Sequence, residues 1–306
     1  MLLQSLIMKE VIMFSKVAAL KAIFAFFLIF ISFGCIHSSA RANDKTDLSN
    51  VAFEIVEGDL GSAQIKIAAI VDGEMFEFQL DTGANNTFLG YSPLLVNYPV
   101  TGQSHTTSAA GVTVIEDKIK VLSLKIGVFE KKDFEVIRYK EGSRLKNRLG
   151  MNALPEKLGF DFKNKKINFG LSSPTSLQKN ALETYWDSSF GMKIDLGSDV
   201  VDAIWDTGAE LSVVDQDLIH KNPNLFQHLQ TIDGGRDATG NPVKLELYKF
   251  SGLQVGGKHL SGTIMSMDFK PIQQKMGSNV KLILGTNLIR MNNWFFDRTE
   301  KTWSIE

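Results

Sequence analysis

Cysteine is almost missing from this chain of 306 residues. The single one, Cys35, lies near the N-terminus, so no disulfide can brace the rest of the chain and the fold must hold by packing. Histidine is sparse as well: His37, His105, His220, His228 and His259 show no metal-binding spacing on a helix, and no metal or other cofactor is implied. The stretch from Asp233 to Asp237 superficially resembles a calcium loop but lacks the later acidic ligand. A Gly-x-Ser-x-Gly nucleophile elbow is absent too. Neither sign of charge prevails, with Lys plus Arg at 33 against Asp plus Glu at 34, which removes any electrostatic bias toward nucleic acid or an anionic membrane surface. Sustained helical periodicity is hard to find outside the N-terminus. What remains is short alternating segments punctuated by glycine, with 44% hydrophobic residues to fill a core, and this predicts an all-β protein with a few short helices.

The longest uncharged apolar run, residues 22–36, is short for a membrane-spanning helix. Preceded by Lys16 and Lys21 and followed by Ala40-Arg41-Ala42, it reads as a signal peptide over residues 1–42, cleaved before Asn43, with export to the periplasm or the exterior of a bacterial cell. Met13 is an alternative start. An uncleaved anchor and lipidation at Cys35 are the competing readings. Ser32 and Phe33 depart from the residues that usually precede a lipid-carrying cysteine, and contact with a membrane is expected only through this segment.

Beyond it the chain repeats itself. Asp81-Thr82-Gly83-Ala84 and Asp206-Thr207-Gly208-Ala209 are identical tetrapeptides 125 residues apart. Before the first, Ala63–Val71 reads as a strand, Asp72-Gly73 as a tight turn and Met75 to Leu80 as the return strand; before the second, Met192 to Leu196, Gly197-Ser198 and Val200–Trp205 repeat that plan. Thr87-Phe88-Leu89 and Leu211-Ser212-Val213-Val214 come next, and further on stand Leu149-Gly150-Met151-Asn152 and Leu284-Gly285-Thr286-Asn287. Each is then followed by a closing strand of the same look, Phe160-Asp161-Phe162 to Ile167-Asn168-Phe169 and Phe295-Phe296-Asp297 to Trp303-Ser304-Ile305. The pattern implies an internal duplication, with one half over residues 43–170, a linker over 171–187 and the other half over 188–306.

With these motifs in place, the chain resembles the pepsin-like and retropepsin-like aspartic proteases over roughly residues 51–306. Asp81-Thr82-Gly83-Ala84-Asn85-Asn86-Thr87-Phe88-Leu89 looks like the retroviral form of their active-site loop, and the apolar-Gly-x-Asn segments look like the retropepsin stretch behind it. The resemblance implies two homologous lobes with an active site at their interface. Asp81 and Asp206 would be the catalytic pair, Gly83, Ala84, Gly208 and Ala209 would shape the loops, and Thr82 and Thr207 would reach across to lock the halves in register. It also implies an aspartic endopeptidase acting on polypeptide, with no covalent intermediate. Because the duplicated chain supplies both aspartates, a monomer is expected. Residues 43–60 are too few for the long inhibitory pro-segment of many pepsin-like zymogens.

The chemistry is independent of the name. Two carboxylates held close together cannot both ionise cheaply, so they share one proton over a wide pH range. The charged member can take a proton from water while the neutral one donates to a carbonyl oxygen. Ala84 and Ala209 stand where many pepsin-like enzymes carry a hydroxyl able to donate to the carboxylate, so the pair is expected to keep its proton to higher pH and to work under mildly acidic or neutral conditions. Gly-containing hairpins at Ala110-Gly111 and Thr239-Gly240 are candidate flaps over an extended peptide, surface hairpins being the plainer reading. Neither contains the flap tyrosine of pepsin-like enzymes, which leans toward the retropepsin side. Arg148 replaces the apolar residue expected before Leu149, where Ile283 stands in the second half, and it is expected to point to solvent. A catalytically inactive peptide-binding or inhibitor-like protein on the same scaffold is the alternative function.

Overall fold

In Ala63–Val71 every second side chain (Ala63, Ile65, Ile67, Ala69 and Val71) is buried, as a strand with one face on a core requires. The chain turns through Asp72 (φ 48°) and Gly73 (φ 89°), the two positive φ values of a hairpin turn whose twist matches its strands, and returns as Glu74–Leu80. The computed structural model describes residues 50–306 except 109–111, 144, 186–187, 197–198, 237–241 and 277. The expected leader with Cys35, the expected turn at Gly197-Ser198 and the candidate flap residues Ala110, Gly111, Thr239 and Gly240 therefore lie outside the described residues. Among the described residues, no helix is long and apolar enough to cross a membrane.

The described residues form an all-β protein with three sheets. The first eight-stranded sheet runs in the spatial order Glu54–Glu57, Ala63–Val71, Glu74–Leu80, Arg148–Leu149, Phe88–Leu89, Phe129–Arg138, Thr113–Ile126, Val100–Thr107, and Ala63–Val71 also pairs with Thr113–Ile126. The second runs Glu183–Tyr185, Ser189–Asp195, Val200–Trp205, Val280–Leu284, Ser212–Asp215, Lys258–Met267, Pro242–Val255, Phe226–Arg236, with Ser189–Asp195 also pairing with Pro242–Val255. Taken in chain order, the strands occupy the same places in both, down to the extra pairing. The duplication read from two tetrapeptides is thus a duplication of topology.

The third sheet is built by both halves. Its six strands are ordered Asn50–Ala52, Lys166–Phe169, Lys157–Asp161, Trp294–Asp297, Thr302–Ile305, Asn180–Ala181. At its centre Leu158 faces Phe296 and Phe160 faces Trp294 in antiparallel register. The described residues consequently form one compact unit, and the 171–187 segment contributes strands to two sheets. Over the shared sheet lies an aromatic core: Phe190 stacks on Phe296 with centroids 4.1 Å apart, and Trp205 packs on Phe160 at 4.7 Å and Phe296 at 4.8 Å. Such pairs each add about 0.5–1.5 kcal/mol beyond the area they bury. Trp205 directly precedes Asp206, so this core is the floor under the acidic loops.

Candidate active site

Each acidic loop leaves the end of a return strand and is fastened at two points. The Asp81 N–H donates to the Leu149 carbonyl at 3.0 Å, and the Asp206 N–H to the Leu284 carbonyl at 2.9 Å. The Ala84 carbonyl accepts from Met151 N–H at 2.8 Å, as the Ala209 carbonyl does from Thr286 N–H at 2.7 Å. The intervening glycines, Gly150 and Gly285, allow this contact: a Cβ on Gly150 would lie 2.1 Å from the Asn86 carbonyl oxygen, and one on Gly285 would lie 2.7 Å from that of Ala209. A further equivalence was not legible in the sequence. Thr87 and Ser212, each six residues past its aspartate and fully buried, meet the asparagines of the Gly-x-Asn segments: Thr87 Oγ1 donates to Asn152 Oδ1 at 2.8 Å and Ser212 Oγ to Asn287 Oδ1 at 2.9 Å. The same hydroxyls accept the N–H groups of Gly150 and Gly285.

The two loops meet head to head. Thr82 N–H donates to Thr207 Oγ1 at 3.1 Å, and Thr207 N–H donates back to Thr82 Oγ1 at 3.0 Å. The hydroxyls continue across, Thr82 Oγ1 to the Trp205 carbonyl at 3.1 Å and Thr207 Oγ1 to the Leu80 carbonyl at 2.9 Å. Both threonines are completely buried, so these bonds are shielded from competing water. The expected reach of each threonine into the opposite loop is thus the geometry observed.

Above this clasp lie the carboxyl groups. Asp206 Oδ1 accepts N–H groups from Gly83 at 3.0 Å and Gly208 at 2.7 Å. A Cβ on Gly83 would lie 2.5 Å from Asp206 Cγ, and one on Gly208 would lie 2.2 Å from Asp81 Oδ1, so both glycines are required by close approach to the opposite aspartate. Burial pushes both carboxyl groups above their ordinary value. Asp206 rises to about 7 through burial first and the negative charge of Asp81 second, against the pull of the Gly208, Gly83 and Ala209 N–H groups. A carboxyl pair that retains one proton near neutrality can serve at once as base and acid.

No protein-family model matches the chain, and no curated protein matches it.

Arg148 corrects the sequence reading. It does not point to solvent: its side chain is 14% exposed and Nη1 lies 3.8 Å from Asp81 Oδ2. The reason lies in strand register. Arg148 pairs beside Gln79 as Leu149 pairs beside Leu80, so Leu80 and Leu149 enter the core while Gln79 and Arg148 share the other face, toward the loops. Gln79 Nε2 there donates to the Gly208 carbonyl of the opposite loop at 3.2 Å.

The candidate flap tips lie outside the described residues, but the strands beneath them are described. Val100–Thr107 and Thr113–Ile126 pair up to Thr107 with Thr113, and Phe226–Arg236 and Pro242–Val255 pair up to Arg236 with Pro242. Two buried residues on or beside the first hairpin's sheet escaped the sequence reading. Glu116 accepts from Thr106 Oγ1 at 3.2 Å, and Tyr139 stacks on Phe88 at 5.3 Å. Burial pushes the Tyr139 hydroxyl above its ordinary value, opposed by the charge of Arg148 and assisted by those of Glu116 and Asp81. A separate groove of about 420 Å3, lined by Gln64, Lys66, Glu77, Gln79, Leu145, Lys146 and Asn147, includes neither aspartate.

Proposed function

We propose that this chain is an aspartic-type endopeptidase of the pepsin-like and retropepsin-like kind, folded as two homologous lobes, exported, and active as a monomer on polypeptide. The observation that carries the reading is the reciprocal geometry of the loops: Gly83 backs Asp206 and Gly208 backs Asp81, each so closely that a methyl group would collide with the opposite carboxyl. Loops that needed only to make a turn would have no use for that closeness.

In the proposed reaction a water molecule sits between the two carboxyl groups and the scissile carbonyl. The ionised aspartate takes a proton from the water as its oxygen bonds to the carbonyl carbon, and the neutral aspartate gives its proton to the carbonyl oxygen. When the tetrahedral species collapses, the C–N bond breaks and the nitrogen receives the proton first taken from water. No covalent enzyme intermediate forms. The buried threonine clasp keeps the aspartates from drifting apart, which matters because a misplacement of about 1 Å can cost on the order of 100-fold in rate.

The deciding experiment incubates the purified protein, as the cell processes it, with a mixed peptide library beside Asp81→Asn and Asp206→Asn variants. Cleavage by the native protein that is lost in both variants supports the reading. Peptide binding without cleavage in all three would make the protein a non-catalytic binding module instead.

A further inference from the structure

The duplicated halves differ in a residue pair that lies beside the aspartates. Where the second half pairs Ile204 with Ile283, both buried in an apolar cluster with Val213, Phe269 and Val280, the first half pairs Gln79 with Arg148. A guanidinium stays charged throughout the range in which proteins work, and one largely withdrawn from solvent favours an ionised partner beside it. Nη1 of Arg148 is 3.8 Å from Asp81 Oδ2. The counterpart of Arg148 beside Asp206 is Ile283, which carries no charge.

Resting on the protease reading, we propose that Arg148 is a positioning residue that makes the carboxyl pair asymmetric, holding the negative charge on Asp81 and leaving the shared proton on Asp206. Asp81 is then the base that takes a proton from water. Asp206 is the acid that donates to the carbonyl oxygen and recovers its proton as the tetrahedral species collapses, while Asp81 passes its own proton to the departing nitrogen.

The surroundings agree. Asp81 is faced by Arg148 from its neighbouring strand, Asp206 from the opposite loop, and the N–H groups of Gly83 and Ala84 from its own loop. Among the described residues the Arg148 charge also acts on buried Glu116 of Thr113–Ile126 and on Tyr139 just beyond Phe129–Arg138, and Lys140 acts on Glu116 as well. Burial raises Asp81 and Glu116 alike, and in both cases the Arg148 charge opposes the rise; at Asp81 it is the largest opposing influence. Asp206 lacks a cation among its main influences and goes up to about 7. The gain over a symmetric pair is that the base stays charged at lower pH while the acid stays protonated.

The test compares the native protein with Arg148→Ile, which copies the second half, Arg148→Lys, which keeps the charge, and Arg148→Gln as a polar, uncharged variant should the isoleucine not fold. Carbon-13 resonances of the Asp81 and Asp206 carboxyl groups, assigned with Asp81→Asn and Asp206→Asn, are followed against pH without substrate. The pH dependence of kcat/KM is measured in parallel. The expected result is that Asp81 carries the lower ionisation in the native protein. Loss of the charge should move that ionisation, and the acid limb of kcat/KM, up by about one pH unit or more, with lysine restoring most of it. An ionisation that first appears on Asp206, or stays within a few tenths of a unit in Arg148→Ile and Arg148→Gln, overturns the proposal. The titration needs no turnover, so absence of peptide cleavage would count against the protease reading alone.

Discussion

The backbone N–H of Gly83 donates to Asp206 Oδ1 at 3.0 Å, across the seam between two halves of the chain. No side chain fits between them. Gly83→Ala should therefore displace one loop from the other and lower peptide cleavage by at least about 100-fold, with a stability loss of about 1–3 kcal/mol from overpacking. Gly208→Ala should do the same through Asp81. Kinetics with a fluorogenic peptide and urea titration read the two effects separately.

The clasp of Thr82 and Thr207 predicts coupled energetics. Thr207→Val leaves the Thr82 N–H buried without its acceptor and the Leu80 carbonyl without a donor, and should cost about 2–4 kcal/mol, as should Thr82→Val. The double variant should lose less than the sum, because the two hydroxyls also meet each other, Thr207 Oγ1 donating to Thr82 Oγ1 at 3.4 Å, and either single change already ends that contact. A urea-denaturation double-mutant cycle tests this, and additive losses would show that the bonds act independently.

Stability should depend on pH through Asp206. Its pKa is about 7 in the folded protein against an ordinary 3.8, so between about pH 4 and pH 7 the folded state holds a proton that the unfolded chain has released. Folding stability must then fall as pH rises through that window, with no such contribution below it. Asp206→Asn removes the dependence. Its melting temperature relative to the native protein should climb between pH 4 and pH 7.5; a constant offset would contradict the raised pKa.

The same proton sets the working range of the proposed reaction. The rate should be greatest while the pair holds one proton, and should decline as pH passes about 7 and Asp206 ionises. A pH-rate profile with its maximum in mildly acidic to neutral solution is expected. A maximum confined to strongly acidic pH would show that the alanines at 84 and 209 do not have the effect assigned to them.

Outside the acidic loops, Asp215 at the end of the strand Ser212–Asp215 is 1% exposed and bonded to Lys281, with Gln273 also within reach. Lys281→Met should destabilise the protein by about 3–5 kcal/mol by leaving that carboxylate buried without its cation. At temperatures where the variant stays folded, kcat should be unchanged.

The parts of the fold that rest on local pattern were legible in the sequence. The hairpin Ala63–Val71 with Glu74–Leu80 announces itself by alternation and by Asp72-Gly73, and the strand Val200–Trp205 agrees with its expected bounds. The expected strand at Met192 to Leu196 is the longer Ser189–Asp195, because it must also pair with Glu183–Tyr185. The segment 171–187 reads as a linker because its composition is loop-like, yet Asn180–Ala181 and Glu183–Tyr185 are recruited as strands by partners more than a hundred residues away or on the next hairpin. Arg148 was misread for a related reason. Its side of the strand is fixed by register with Gln79, a long-range fact, whereas a charged residue beside an apolar run looks solvated when read alone. Thr87 and Ser212 carried no mark either, since a buried hydroxyl is recognisable only through the asparagine it meets.

The shared sheet has a consequence for how the molecule comes into being. The strand Lys157–Asp161 has Lys166–Phe169 on one side from early on, but its other neighbour, Trp294–Asp297, is made about 135 residues later, and until then that edge of the strand bearing Leu158 and Phe160 stands open. A first half emerging alone has an unpaired, apolar strand border and half of an acid pair. Assembly of the acid pair therefore waits on a strand made about 90 residues after Asp206, and the proposed hydrolysis should be impossible until that strand has joined the sheet.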